Sequence, residues 1–407
     1  MSSKRRILFL TPQLPYPPEQ GTAIRNYHLL SQTATRHDVS LLSFVEPGTA
    51  NLAPLQAICS QVQTIPAPRR TKAQRLKTLL TSRAPDMARR LAAEPYAQAL
   101  HQMLAQEPYD IVQVEGIELA SYGLMIKAWP EAGSPALVFD DHNAEYLLQK
   151  RAFGTDIRRP RRWPQAAYSG IQWRRLRHFE HQICHRADAV LTVSEADAQA
   201  VRQLGPGIEP LAIPNGVDTE AYRTDLPDSL PLRHPNVVFT GKMDYRPNVD
   251  AMRWFHSQVW PEIRRQLPDV HLYIVGKGPS AEILQMADDP GVTVTGYVPD
   301  ILPYFGGADV YIVPLRVGGG TRLKVLEALA TGLPMVSTRL GVEGIALQDG
   351  QHALLADTPA EFAQTAVRLL GDGALRQSLA QQARDLAVQR YDWRNIIPPL
   401  FSLYDRL

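Results

Sequence analysis

Two successive series of short apolar runs, separated by stretches of helical length, restrict this 407-residue chain more than any other feature. The first series is Ile7–Leu10, Val39–Phe44, Ile111–Val114, Ala136–Phe139 and Ala189–Val193. The second is Val237–Phe239, Val270–Val275, Val292–Thr295, Val310–Val313 and Met335–Ser337. Strands covered on both faces read as near-continuous apolar runs, whereas a one-sided sheet would alternate with period two. Helix-like text lies between the runs, as at Thr22–Thr35, Trp173–Arg186, Val249–Arg265 and Thr321–Thr331. Strands joined by helical crossovers predict parallel, doubly wound sheets. The turn signal Pro214-Asn215-Gly216 and the proline-rich text up to Pro235 separate the series. The prediction is an α/β chain with a Rossmann-like domain over 1–207, a linker over 208–235 and a second such domain over 236–389. Ligands of open α/β sheets bind beyond the carboxyl ends of the strands, so the two domains are expected to face a cleft.

Composition removes several classes. Hydrophobic residues at 44% and charged residues at 21% exclude wholesale disorder. Cys59 and Cys184 alone give neither a disulfide framework nor metal-ligand spacing, which favours a reducing cytoplasm. His178, His181 and His185 share one helix but have arginines around them and no matching carboxylates, so no metal site is expected. No apolar run approaches the ~18 residues of a membrane span. Lys4, Arg5 and Arg6 precede the apolar run Ile7–Leu10, but a signal peptide needs roughly 7–15 apolar residues, so this run reads as a buried first strand.

The net charge of +2 conceals a split. Residues 1–210 carry 25 Lys and Arg against 19 Asp and Glu, and the remainder carries 18 against 22. Two clusters make the first half basic: Thr64–Pro95, with eight cations and two acids, and Lys150–Arg186, with ten and two, including Trp163 and Trp173. A basic, tryptophan-bearing surface fits anionic headgroups or a phosphorylated acceptor, and a solvated basic face is the plain alternative. With no stacking module or DNA-binding motif, nucleic acid is not an expected partner.

The segment Pro314–Leu333 carries the most chemistry. A strand ends at Pro314, Gly318, Gly319 and Gly320 follow, and a helix opens near Thr321. Glycines let backbone approach a ligand, and a helix N-terminus offers unpaired N–H groups and a positive dipole end, which together suit a phosphate. Arg322 and Lys324 add charge. Lys324 and Glu327, three apart, share a helical face, where they make either a nucleotide grip or an ordinary surface pair. Lys242 and Arg246, in the loop after the strand Val237–Phe239, suit phosphate oxygens or plain solvation. Val275-Gly276-Lys277-Gly278-Pro279 lacks the third glycine of a dinucleotide fingerprint, and no GxxxxGK[ST] occurs. Asp140-Asp141-His142-Asn143 ends a strand as a polar active-site edge. The loop Pro12–Gly21 is stiff except at Gly21, with Arg25 early in the next helix.

Together these motifs resemble the retaining glycosyltransferases of family 4, which have the two-Rossmann GT-B fold. Pro214-Asn215-Gly216-Val217-Asp218, Val275–Pro279, Gly296-Tyr297-Val298 and Lys324 with Leu326-Glu327-Ala328 match its segments. Pro15–Leu30 and Phe239–Phe255 also resemble the sugar transferases associated with exosortase/PEP-CTERM exopolysaccharide systems. The resemblance implies that Glu327 binds the donor ribose and that Lys324, Lys242 and Arg322 hold the diphosphate. It further implies that Gly21 brings backbone to the phosphates, that Val298 lies near the nucleobase and that His142 meets the donor sugar. On this reading His142, Lys242 and Lys324 are catalytic. Gly21, Arg246, Gly278, Val298, Gly319, Gly320, Thr321, Arg322 and Glu327 bind donor, and Arg25, Asp141 and Asn143 face the acceptor. The C-terminal helix 390–407 is expected to pack back on the first domain. Two departures stand out: Gly319 replaces the family's first glutamate, and Lys242 replaces an arginine, which keeps charge without bidentate geometry.

The implied reaction moves a hexose from a nucleotide diphosphate sugar to a saccharide or lipid-linked acceptor with retention, in exopolysaccharide or cell-surface glycan synthesis. No cofactor or metal is expected, since the cations neutralise the leaving group. The implied location is cytoplasmic, with an anionic membrane surface as a partner of the basic first domain. A GT-B-fold nucleotide-sugar epimerase and a non-catalytic nucleotide- or carbohydrate-binding protein are the alternatives.

Overall fold

The computed structural model describes residues 4–18, 21–46, 48, 51–129, 134–158, 160–226, 229–318, 320 and 322–407. The chain divides into two compact units, one formed by Met1–Pro214 with Ile397–Leu407 and the other by Asn215–Ile396.

The first unit is built on seven parallel strands. These are β1 (Arg6–Thr11), β2 (Asp38–Val45), β3 (Gln61–Pro66), β4 (Ile111–Glu115), β5 (Ala136–Asp141), β6 (Ala189–Thr192) and β7 (Leu211–Ala212), in the order β3-β2-β1-β4-β5-β6-β7. The second unit has six: β8 (Asn236–Thr240), β9 (His271–Val275), β10 (Val292–Gly296), β11 (Val310–Val313), β12 (Met335–Ser337) and β13 (Leu354–Leu355), in the order β10-β9-β8-β11-β12-β13. The strand order reverses direction beside the first strand of each sheet, between β1 and β4 and between β8 and β11. These switch points open a crevice at the strands' carboxyl ends. The doubly wound parallel architecture is therefore as expected.

All ten expected strands form, and their interiors are buried except in the edge strand β10, which is half-buried beyond Val292. Three further strands lie outside the expected runs. β3 reads Gln-Val-Gln-Thr-Ile-Pro along a half-exposed sheet edge, and β7 and β13 are two residues each. The division between units falls at 214/215, inside the stretch expected to be linker. Ile208 is buried in the first core and β7 pairs with β6, so that stretch is structured on its N-terminal side.

Two helices differ from expectation for reasons of proline chemistry. The helix expected at Trp173–Arg186 begins at Trp163, because Pro164 sits in its first turn, where an N–H has no intrahelical partner anyway. The stretch Val249–Arg265 is interrupted. A helix Arg246–Trp254 passes through a wide turn at 255–259 into Trp260–Gln266, with Pro261 in the new first turn.

The chain crosses between the units at 214/215 and at 396/397. Within the second unit the flanking segments are tied together. Val217 N donates to Tyr391 O at 2.8 Å and pairs with Asp392 as an isolated bridge. The Thr219 hydroxyl donates to Asp392, and Arg394 donates to both its oxygens at 2.8 and 2.7 Å. Burial alone would raise the Asp392 carboxyl, but these donors hold it down at about 2. Residues 390–396 thus stay with the second unit. The helix Pro398–Arg406 belongs to the first, where the Tyr404 hydroxyl donates to Gln113 and the Arg36 guanidinium lies 4.7 Å over the Phe401 ring.

Candidate active site

In the first unit, parallel register sets Glu115 at the end of β4 beside Asp140 near the end of β5. Both carboxylates are fully buried. The helix Gly21–Ala34, which follows the β1 loop, supplies their partners. Arg25 Nε and Nη2 donate to the two oxygens of Asp140 at 2.8 and 2.9 Å, and Nη1 donates to Ile213 O at 2.8 Å. Asn26, with its amide oriented to donate, reaches Glu115 Oε2 at 2.9 Å. Gln113 Nε2 donates to Glu115 Oε1 at 2.6 Å, and Tyr404 holds Gln113 from behind. His142 Nε2 lies 2.8 Å from Glu115 Oε2 and 3.9 Å from Asp140 Oδ2.

These contacts set the charges. Burial by itself would lower the His142 imidazole, but the Glu115 hydrogen bond and the Asp140 charge outweigh it and favour the imidazolium. Burial and the neighbouring Asp140 push Glu115 up. Burial would also push Asp140 up, yet the Arg25 guanidinium holds it below the usual carboxylate range. Glu115, Asp140 and His142 form the one set among the described residues whose ligand atoms converge within 4.8 Å, as a metal requires. Their oxygens are already taken by Arg25, Gln113, Asn26 and His142, with a guanidinium alongside, so the set reads as a hydrogen-bond network. Beside it opens a cavity of about 300 Å³, lined in part by Thr22, Glu118, Asp141, His142, Asn143 and Glu145.

The acceptor-side expectations divide here. Asn143 lines the cavity. Arg25 does not: it is buried and committed to Asp140 and Ile213, so it organises the site without meeting a ligand. Strand parity turns the Asp141 side chain to the face of β5 shared with Phe139, towards Glu180 and Asp197. Both its oxygens are buried with no donor among the described residues. Burial and those neighbouring acids push it well above the usual range. Gly21 is the exposed first residue of its helix.

In the second unit, Lys324 sits in the first turn of the helix Leu323–Ala330, the end where the helix dipole disfavours a cation. Its Nζ crosses the β8/β11 switch point, donating to Thr240 O at 2.6 Å and Asn248 Oδ1 at 3.0 Å, 4.2 Å from the Phe239 ring centre. Burial pushes this ammonium down to about 7, with Arg322 adding to the effect and Glu327 opposing it. Two glycines make the approach possible. A Cβ on Gly241 would lie 2.8 Å from Lys324 Nζ, and one on Gly276 would lie 1.9 Å from Gly241 O; both have positive φ. Glu327, one turn along, accepts from Tyr222 Oη at 3.2 Å. Burial raises this carboxyl, and Tyr222 and Lys324 oppose the rise. Arg384 braces Tyr222 by donating to its carbonyl at 2.6 Å and to Thr219 O at 2.8 Å.

The other expected donor residues are placed as follows. Arg322 is buried immediately before the helix. Gly320 has φ +79°. Gly278 follows β9 in a left-handed turn, and Val298 packs half-buried on the core. Lys242 is half-exposed, 3.6 Å from Asp244, and Arg246 is an exposed first residue of its helix. Gly319 and Thr321 lie outside the described residues.

The fold matches solved two-domain structures over nearly its whole length. Sucrose-phosphate synthase from Thermosynechococcus elongatus superposes with a TM-score of 0.71 at 17% identity, covering 99% of both chains. Anabaena HepE, solved with UDP-glucose, superposes with a TM-score of 0.67 at 17% identity, covering 99% of this chain and 100% of HepE. The family model for Glycosyltransferase Family 4 matches residues 20–221, and that for Glycosyl transferases group 1 matches residues 234–372. The chain is a glycosyltransferase of the GT-B type. Among curated proteins, this glycosyltransferase is 22% identical to an uncharacterized 44.6 kDa protein in the cps region of Klebsiella pneumoniae, over 98% of this chain and 99% of that one. It is 31% identical to the GDP-mannose-dependent alpha-(1-6)-phosphatidylinositol monomannoside mannosyltransferase of Mycolicibacterium smegmatis, over 52% of this chain. It is 28% identical to the phosphatidyl-myo-inositol mannosyltransferase of Mycobacterium tuberculosis, over 49% of this chain. The matches span 61% and 54% of those two mannosyltransferases.

Sequence reasoning missed Glu115, Gln113, Asn26, Tyr222 and Asn248, and it did not separate Asp140, the networked residue, from Asp141, which lines the cavity. Register across strands and the packing of distant helices bring these groups together. No local motif marks them.

Proposed function

We propose that this glycosyltransferase moves a hexose from a nucleotide diphosphate sugar to a saccharide or lipid-linked acceptor in the cytoplasm, with retention at the anomeric carbon. The observation that carries the reading is Lys324. A lysine held at a helix N-terminus, with its charge half withdrawn by burial, is an unfavourable arrangement that an arriving diphosphate would reverse. Glu327 beside it offers a carboxylate to ribose hydroxyls. Arg322, Lys242 and the N–H groups of the helix Leu323–Ala330 add to the anion-binding set. Charge neutralisation by these cations needs no metal.

In the reaction, the bond from the anomeric carbon to the phosphate oxygen breaks and its electron pair leaves with the nucleotide diphosphate. The acceptor oxygen bonds the same carbon on the same face, and its proton passes to the departing phosphate oxygen. Preorganised cations lower the barrier by stabilising charge as it grows. His142, hydrogen-bonded to Glu115 and open to the 300 Å³ cavity of the first unit, supports a role in meeting the donor sugar. The UDP-glucose of the HepE structure and the cps-region relative support a sugar nucleotide and a surface-polysaccharide setting. The motifs at Pro15–Leu30 and Phe239–Phe255 support an exosortase-associated system.

A thermal-shift panel of nucleotide diphosphates and their sugars tests the donor. Stabilisation by one base series, lost in Glu327→Ala, is expected. NMR of the product made with the stabilising donor then reads the anomeric configuration, and an inverted centre would refute retention.

A further inference from the structure

The helices Glu145–Asp156 and Trp163–Arg186 form an arm between β5 and β6. Contacts fix it along its length. Tyr146 N donates to both Glu180 oxygens at 3.2 Å near the sheet. Midway, the Phe153 ring stacks on Trp173 with centroids 6.2 Å apart, and a Cβ on Gly170 would lie 3.2 Å from Phe153. At the far end Arg162 bonds Asp156 at 3.0 Å, and the Trp163 indole donates to Ile157 O at 3.3 Å.

That far end combines two properties seldom found together on a solvated surface. Trp163 is 60% exposed and its hydrogen-bonded neighbour Ile157 is 49% exposed. Over residues 146–179 there are nine Lys and Arg against one acid, Asp156, which Arg162 neutralises. Arg158 and Arg161 are exposed beside the two apolar side chains. An indole and an aliphatic side chain set among cations match the boundary between acyl chains and anionic headgroups. A nucleic acid would use a run of cations with several stacking rings and would gain nothing from Ile157. Among the described residues no helix is long and apolar enough to cross a bilayer, so the contact is interfacial.

We propose that the tip of this arm docks on an anionic lipid bilayer, with Ile157 and Trp163 entering the interface and Arg158 and Arg161 meeting headgroup phosphates. The inference stands apart from the donor chemistry, since it uses none of the residues assigned to it.

Sedimentation of the full chain with phosphatidylcholine vesicles, with and without phosphatidylglycerol, tests it. Binding only to the phosphatidylglycerol vesicles, weakening as salt rises, is expected. At about 1 kcal/mol per cation near the surface, Arg158→Gln with Arg161→Gln should cut partitioning roughly thirtyfold at low salt. Ile157→Ser with Trp163→Ser should cut it about tenfold or more while leaving far-UV circular dichroism and the sugar-nucleotide Kd unchanged. Equal binding to both vesicle types would overturn the proposal. So would parental partitioning by the Ile157/Trp163 variant, or single-stranded DNA binding stronger than vesicle binding. A vesicle-binding protein that shows no donor stabilisation would refute the proposed function and leave this inference standing.

Discussion

Donor binding should draw a proton from solution at alkaline pH, and Lys324 is the group that takes it. Burial outweighs the help of Glu327 and holds this ammonium at about 7. A diphosphate placed against it restores the charged form's advantage and moves the group back towards the ordinary ~10.4 of a lysine. At pH 8 roughly nine-tenths of the free sites are neutral, so binding takes up ~0.9 proton, whereas at pH 6 it takes up only ~0.1. The same linkage makes the sugar-nucleotide Kd rise about tenfold per pH unit above 7, until the bound-state value is reached. Titration calorimetry in buffers of different ionisation enthalpy reads the uptake directly. A sugar nucleotide is the right ligand, because its diphosphate is substituted at both ends and does not titrate near neutrality. Lys324→Arg, permanently charged, should abolish the uptake and flatten the pH dependence of whatever binding it retains. An uptake that is constant from pH 6 to 8, or undiminished in Lys324→Arg, would refute the reasoning.

Two further outcomes follow from the hydrogen bonds. Arg25→Met leaves Asp140 buried without its bidentate partner, at a cost of about 3–5 kcal/mol. Thermal unfolding should fall by roughly 6–20 °C, and an unchanged Tm would show that the pair is not the anchor of this site. Tyr222→Phe removes a donor from buried Glu327, which favours the neutral acid and so moves the acidic limb of sugar-nucleotide binding to higher pH. Binding near neutrality should weaken by about tenfold, in keeping with the ~1–2 kcal/mol of such a bond, and an identical pH profile would remove Tyr222 from the donor site.

What could be read from the sequence followed burial. Central parallel strands are covered on both faces and appear as unbroken apolar runs, so β1, β4, β8 and β11 were visible. β3, half-exposed at an edge, has only Val62 and Ile65 as apolar side chains before its terminal proline and was not. Lys324 and Glu327 were legible because both lie within one helix, where spacing alone sets proximity. Glu115 and Asp140 were not, because their meeting depends on the register of β4 against β5. Telling Asp140 from Asp141 requires the parity of β5. Apparently equivalent neighbours in sequence point to opposite faces of a sheet. The basic charge of Lys150–Arg186 was plain from composition, but its pairing with exposed Ile157 and Trp163 depends on how the arm is capped.

The return of the last helix to the first unit bears on the order in which the protein is made. Tyr404 is joined through Gln113 and Glu115 to His142 by successive hydrogen bonds. A ribosome releases residues 397–407 only after the whole second unit has been synthesised. The N-terminal sheet therefore emerges early but waits for residues 397–407, made after the second unit, to complete the support behind its histidine.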